Sequence, residues 1–229
     1  MTPGETAVAP DGADGARASK VLAPNPGPMT LQGTNSWVIA APGGRSVVLD
    51  CGPDDASHLL AVAERARAGE REVGAVLVTH HHLDHAEGLA SFSARTGVPL
   101  TPVADGDVIR VDGLTLHVLG TPGHTADSVT FLDRDEGCLY TGDTLLGEGT
   151  TVVAHPDGRL GDYLDSLRRL AGVEATRIRP GHGPDVTDVA GWIAYYRSHR
   201  AQRLDQVRDA VAAGAVTAQA VVELVYADV

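Results

Sequence analysis

Between Val76 and His85 the chain reads VLVTHHHLDH, which places His80, His82, Asp84 and His85 within six positions. Imidazole nitrogens and a carboxylate are the ligand types of divalent zinc, and they also suit manganese or iron. Val76, Leu77, Val78 and Thr79 are apolar or β-branched and predict a buried strand. An extended strand end turns residues two apart to one side, so His80 and His82 are expected to face together. A polar loop holding chance histidines is the alternative, and the match to a metal-ligand pattern disfavours it.

Three further donors follow strand-like runs. His124 lies in GTPGHT, Asp143 in YTGDT and His182 in RPGHG. Each is flanked by glycine, which lets backbone approach backbone closely. The set is five histidines and two aspartates. That is too many for one tetrahedral ion and suits two ions sharing a carboxylate.

At these residues the sequence resembles the metallo-β-lactamase superfamily. HHHLDH fits its HxHxDH signature, and TPGHT, TGD and PGHG fit its later motifs in order. NPGPMTLQGTNSWVI, GDTLLGEGTT and YYRSHRAQR resemble one branch, the β-lactamase-like protein 2 hydrolases, from about Pro24 onward. The resemblance implies a first metal on His80, His82 and His124, and a second on Asp84, His85 and His182. Asp143 would bridge them, and Asp84 would also accept a proton from the attacking water. The implied cofactor is two divalent ions, zinc first, with manganese or iron as alternatives. The implied activity is hydrolysis by a hydroxide shared between the ions. The branch holds enzymes for acyl thioesters and others for single-stranded RNA, so a thioester, an ester or an RNA phosphodiester is the expected substrate. β-Lactam hydrolysis as a weak side activity and a non-catalytic, metal-stabilised binding protein are the alternatives.

The chain has 229 residues, 43% of them hydrophobic, enough for one large domain and a small appendage. The net charge of −12 disfavours a general polyanion binder. Basic charge is arginine apart from Lys20. No apolar run reaches the ~20 residues of a membrane span, and the polar N-terminus lacks a signal-peptide core. A cytoplasmic location without membrane contact is therefore expected. Cys51 and Cys138 sit in apolar strand-like contexts and are expected as reduced, buried thiols.

The elements that must position the donors can be read from periodicity. Residues 1–20 carry no pattern and read as a loose tail, 21–188 as the catalytic domain and 189–229 as a C-terminal helical appendage. The first strand is expected at Trp37–Ala40, with Ser46–Asp50 returning beside it. A helix follows from Asp55 to Ala68, a strand from Val73 to Thr79, a helix over Ala86–Thr96 and a brief strand at Pro99–Thr101. Two hairpins come next, Asp107–Val111 with Leu114–Leu119 and Val129–Leu132 with Cys138–Thr141. A helix capped by Asp162 spans Gly161–Leu170, and a last strand covers Thr176–Arg179. This alternation predicts an α/β architecture. The resemblance specifies it as an αββα sandwich with the metals at one edge and a winged-helix-like appendage. That appendage begins with a long helix from Val189 and a second capped by Thr217. The chain stops soon after, so a truncated appendage with an apolar face needing a second copy is a further expectation.

Other polar residues carry weaker signals. His81 is expected to point away from its neighbours and His58 to be solvated on its helix. His117 reads as an ordinary strand histidine. His155 is a candidate substrate contact in a loop after GEGTTVVA. Arg197 and Arg200, on the long helix with His199 and Arg203, are candidate substrate-binding cations against the ordinary reading of a solvated charged face.

Overall fold

The structure is a computed structural model that describes residues 17–226. Strands β1 (Ala18–Leu22), β2 (Asn35–Ala40), β3 (Arg45–Leu49) and β4 (Glu72–Leu77) form one sheet in that order. Strands β5 (Val108–Val111), β6 (Leu114–Gly120), β7 (Val129–Asp133), β8 (Cys138–Gly142) and β9 (Arg177–Pro180) form the second. Helices α1 (Ala56–Arg67), α2 (Leu83–Ala86) and α3 (Leu89–Thr96) accompany the first sheet. Helices α4 (Leu160–Ala171) and α5 (Val189–Ala212) accompany the second, and α6 (Ala218–Val225) lies against α5.

The pleat sorts the side chains into layers, because neighbours along a strand face opposite ways. Trp37, Ile39, Val47, Leu49 and Leu77 meet Leu116, Val118, Phe131 and Tyr140 between the two sheets. Their neighbours Val38, Val48 and Val76 turn outward onto Leu59, Val62, Ala63 and Ala66 of α1 and Phe92 of α3. On the other side Leu132, Leu139 and Ile178 pack under Tyr163, Leu167 and Leu170 of α4 and Ile193 and Tyr196 of α5. The order is helix, sheet, sheet, helix: the αββα sandwich.

Topology gathers the functional loops at one end. β3 and β4 are parallel, joined through α1, and β8 and β9 are parallel, joined through α4. Parallel neighbours need such crossovers, and both strands then finish at the same edge. β6 is antiparallel to β7, which is antiparallel to β8, so β6 also finishes there. The two sheets are tied at this edge by Asn35, whose Nδ2–H₂ donates to the carbonyls of Pro180 (3.0 Å) and Gly183 (2.9 Å). Trp37 Nε1–H adds a third bond to the Pro180 carbonyl at 3.0 Å.

Several expectations are corrected. The expected tail lies mostly outside the described residues, but Ala18–Leu22 is a strand paired antiparallel with β2, so Trp37–Ala40 belongs to the second strand. Four half-buried residues, a lysine among them, and an exposed leucine hid it from periodicity, because an edge strand needs only one apolar face. The helix expected over Ala86–Thr96 is two pieces, α2 and α3, split at Glu87 and Gly88. A Cβ on Gly88 would sit 2.7 Å from Leu59 Cδ2 and 2.9 Å from the Pro53 carbonyl, so this turn presses against α1. Pro99–Thr101 contributes only an isolated bridge, Val76 with Leu100. The N-cap of α4 is Arg159, and Asp162 lies in its first turn. Thr217 does cap α6, accepting from the Ala220 amide, and Asp55, read as the start of the helix, is the cap of α1 and accepts from the His58 amide.

Cys51 and Cys138 are separate, buried thiols, and burial pushes both up to about 12. α6 buries no side chain among the described residues, and Val222 and Leu224 stay exposed on it. Among the described residues no helix is long and apolar enough to cross a membrane.

Candidate metal centre

The loops after β4, β6, β8 and β9 bring all seven expected donors into one cluster. His80, His82 and His124 each offer a ligand atom within 4.8 Å of the others, as do Asp84, His85 and His182. Asp143 lies between the groups. Its Oδ2 is 3.6 Å from His124 Nε2 and 3.3 Å from His182 Nε2, and its Oδ1 is 3.3 Å from His85 Nε2. β4 ends at Leu77, so His80 and His82 stand on the loop beyond it rather than on the strand. Their rings still converge, with His80 Nε2 3.0 Å from His82 Nδ1.

The surrounding hydrogen bonds fix which nitrogen faces inward. A carbonyl or carboxylate oxygen accepts only, so its histidine partner must donate. His85 Nδ1–H donates to Asp50 Oδ2 (2.9 Å), His124 Nδ1–H to the Val152 carbonyl (2.7 Å) and His182 Nδ1–H to the Gly33 carbonyl (3.2 Å). The Thr79 hydroxyl donates to Asp50 Oδ2 at 2.7 Å, which leaves its oxygen to accept His80 Nδ1–H at 3.1 Å. All four neutral rings therefore present a bare Nε2 to the cluster. Asp84 Oδ2 accepts from the Thr34 hydroxyl at 2.9 Å.

These contacts leave an electrostatic demand. His85 Nε2 and His182 Nε2 stand 3.3 Å apart, two lone pairs face to face. Asp143 Oδ1 is buried without a hydrogen bond. Unpaired buried groups of this kind are costly unless a positive charge meets them. The titration directions agree. Burial lowers His182, but the carboxylates of Asp143 and Asp84 that face its Nε2 prevail and bring it to about 9. Burial likewise lowers His85, and the carboxylates of Asp143 and Asp50 outweigh it and hold the ring well above its usual value. For Asp143 and Asp84 burial raises the carboxyl, and the facing imidazoles hold both well below the ordinary range. His80, pressed by burial and then by His85, falls to about 2. A field that draws protons onto His85 and His182 draws a metal cation to the same atoms, and the donors fit that group.

Close backbone approach makes the cluster possible. A Cβ on Gly181 would sit 2.5 Å from Asp143 Oδ1 and 2.7 Å from His85 Cε1. Gly142 adopts φ +48, and a Cβ there would meet Thr79 Oγ1 at 2.4 Å.

The other expected contacts fall elsewhere. His155 is exposed on the loop that follows Thr151. Arg197 is exposed on α5 and lines a shallow groove beside the end of α4, with Leu170 and Val173. Arg200 donates to the Thr151 carbonyl and lies over the Tyr163 ring. His81 does point outward, paired with Asp127 at 2.9 Å. His58, expected in solvent, is buried and hydrogen-bonded to Ser36 Oγ at 2.9 Å. It lies four and eight residues before Val62 and Ala66, so it shares their inward face.

Periodicity passed over Asp50, Thr79, Thr34 and the carbonyls of Gly33 and Val152. Asp50 left one trace: an acid that ends a buried strand just before Cys-Gly, here with φ +54. The carbonyls left none, since any residue supplies one.

Comparison with known proteins agrees with this geometry. The family model described as metallo-beta-lactamase superfamily matches residues 29–107 and 100–182. The beta-lactamase-like protein 2 homolog of Caenorhabditis elegans is 32% identical over 92% of this chain and 76% of its own. A protein of Aspergillus chevalieri named atrochrysone carboxyl ACP thioesterase is 31% identical over 93% of this chain and 74% of its own. The crystal structure of a beta-lactamase domain protein from Burkholderia ambifaria superimposes with a TM-score of 0.75 at 21% identity, over 93% of this chain and 79% of that one. From the family match and relatives of this identity and coverage, the chain belongs to the metallo-beta-lactamase superfamily, as a metal-dependent hydrolase.

Proposed function

We propose that this hydrolase uses two divalent cations, zinc first, to hydrolyse an acyl thioester. The observation that carries the reading is the inward turn of the Nε2 atoms by their Nδ1–H bonds, around an Asp143 that touches both halves of the cluster. His80, His82 and His124 would hold one ion, Asp84, His85 and His182 the other, and Asp143 both. When bound, such ions supply Lewis acidity and make water acidic enough to attack at neutral pH.

The chain's own groups do the rest. Thr34, His85 and His182 all meet Oδ2 of Asp84, so Oδ1 is the oxygen that takes a proton from the attacking water. That water adds to the carbonyl carbon, and the C–S bond breaks with its electron pair leaving on sulfur. Sulfur then takes up the proton that Asp84 holds, giving a carboxylic acid and a thiol. No side-chain nucleophile is required.

A thioester is favoured over RNA on two grounds. A relative over nearly the whole chain is named a thioesterase. Of the two arginines considered for phosphate contact, Arg197 lies away from the cluster and Arg200 is engaged with Thr151. The test is one panel on metal-loaded protein: acyl-coenzyme A, a carrier-bound thioester, hydroxyacyl-glutathione, single-stranded RNA and a chromogenic cephalosporin. Thioester turnover that vanishes in Asp84→Asn, with metal content measured beside it to separate lost proton transfer from lost metal, is the expected result. Cleavage of RNA with every thioester untouched would sink the substrate reading, and full turnover in Asp84→Asn would remove its proton role.

A further inference from the structure

The segment after Asp143 is held from outside by α5. Three of its side chains, at four-residue spacing, reach the same stretch of backbone, as residues on one helix face can. Trp192 Nε1–H donates to the Leu146 carbonyl at 2.8 Å, and the Tyr196 hydroxyl oxygen accepts the Leu146 amide at 2.9 Å. Arg200 Nη2–H donates to the Thr151 carbonyl, with the guanidinium carbon 5.1 Å over the Tyr163 ring. Tyr163 in turn donates its hydroxyl to the Thr144 carbonyl at 2.7 Å. The far side of this strap meets the cluster. Thr151 Oγ1 is 3.2 Å from His124 Nδ1, and the Val152 carbonyl accepts Nδ1–H at 2.7 Å.

We propose that Arg200 is a positioning residue for His124. By holding the Thr151 carbonyl it fixes the next carbonyl, that of Val152, and through it the plane and tautomer of the imidazole. The proposal rests on reading His124 as a metal ligand. Arginine suits the task because its flat cation stacks on an aromatic face while donating in the same plane; a lysine ammonium is a point charge without that plane. Arg200 Nε is buried without a hydrogen bond, so the side chain faces the protein rather than a substrate. The helix reading of the sequence placed Arg200 on a charged face; the structure turns it onto the strap, while Arg203 reaches the Val225 carbonyl at the end of α6.

The test is cobalt(II) titration of Arg200→Met against a competing chelator, with visible spectra and steady-state rates. Methionine keeps an apolar stem over Tyr163 and removes the donor. Loss of an outer partner of a metal-bound histidine costs about 10–100-fold. Arg200 acts one residue further out, so the expected result is the lower end: one of two cobalt equivalents weakened about tenfold, with its d–d bands altered. The other equivalent should stay unchanged, and kcat should fall while KM holds. Arg200→Lys should recover part of the affinity, and Arg197→Ala should match wild type. Two equivalents of wild-type affinity and spectrum in Arg200→Met overturn the proposal, as does a raised KM with metal binding intact. If circular dichroism shows Arg200→Met unfolded, Arg200→Lys decides by the same criterion of weakened or unchanged binding. The ligand reading fails separately, and visibly, if His124→Ala binds cobalt as wild type does.

Discussion

Asp50→Asn isolates the support of the metal cluster from its ligands. Asp50 is buried and uses both oxygens. Oδ1 accepts the Thr79 amide at 2.7 Å, while Oδ2 accepts the Thr79 hydroxyl at 2.7 Å and His85 Nδ1–H at 2.9 Å. Asparagine has the same shape but only one acceptor oxygen. With its amide nitrogen at the Oδ2 position, it faces His85 Nδ1–H donor to donor. The ring then escapes only by moving its proton to Nε2, the atom that faces Asp143 and His182. Flipped, the amide nitrogen faces the Thr79 N–H, which cannot turn away. Either arrangement removes a hydrogen bond to a charged acceptor, worth about 1.5–3 kcal/mol. At 1.4 kcal/mol per decade this is roughly a 10- to 150-fold weakening of the ion held by His85, in line with the range known for such outer partners. Zinc or cobalt competition against a chromophoric chelator measures it directly, and a far-ultraviolet melt checks that the fold survives. Two metal equivalents bound as tightly as in the parent protein would refute the tautomer argument.

Two further outcomes follow from packing and burial. Gly181→Ala places a methyl 2.5 Å from Asp143 Oδ1, within a backbone bend that cannot relax freely; overpacking of this kind costs about 1–3 kcal/mol, so this variant should lose bound metal per mole, measured by elemental analysis, while still folding. His58 is held below its ordinary value by burial, so the unfolded chain takes up a proton near 6.5 that the folded chain refuses. Its contribution to stability is therefore present above 6.5 and is lost as pH falls through that value toward the folded one, with a slope of at most about 1.4 kcal/mol per pH unit. Urea midpoints for wild type and His58→Gln between pH 7.5 and 5 should show the shallower slope in the variant, and parallel curves would place His58 in solvent.

Much of the molecule was legible along the chain. The seven donors announced themselves because metal ligation demands rare residue types, because they follow strand-like runs, and because His124, Asp143 and His182 border glycine. The hairpins, α1, the long α5 and the cap of α6 were visible through periods of 2 and 3.6 and through Thr217. Edge strand β1 was not, since its half-buried residues carry no apolar alternation and its evidence is the pairing with β2. His58 was misplaced although Val62 and Ala66 lie on its own helical line; its polarity outweighed its position.

What the residues alone determined is the inventory: which side chains can ligate, in what order, and that strands and helices alternate around them. Tertiary structure decided the orientation of that inventory. Parallel crossovers through α1 and α4 sent four loops to one edge, and Asp50, Thr79 and the carbonyls of Gly33 and Val152 then turned His85, His80, His182 and His124 by their far nitrogens. A backbone carbonyl has no identity in a sequence, and a contact between Arg200 and Thr151 spans a distance that no local pattern records. Those bonds exist only once the chain has closed on itself.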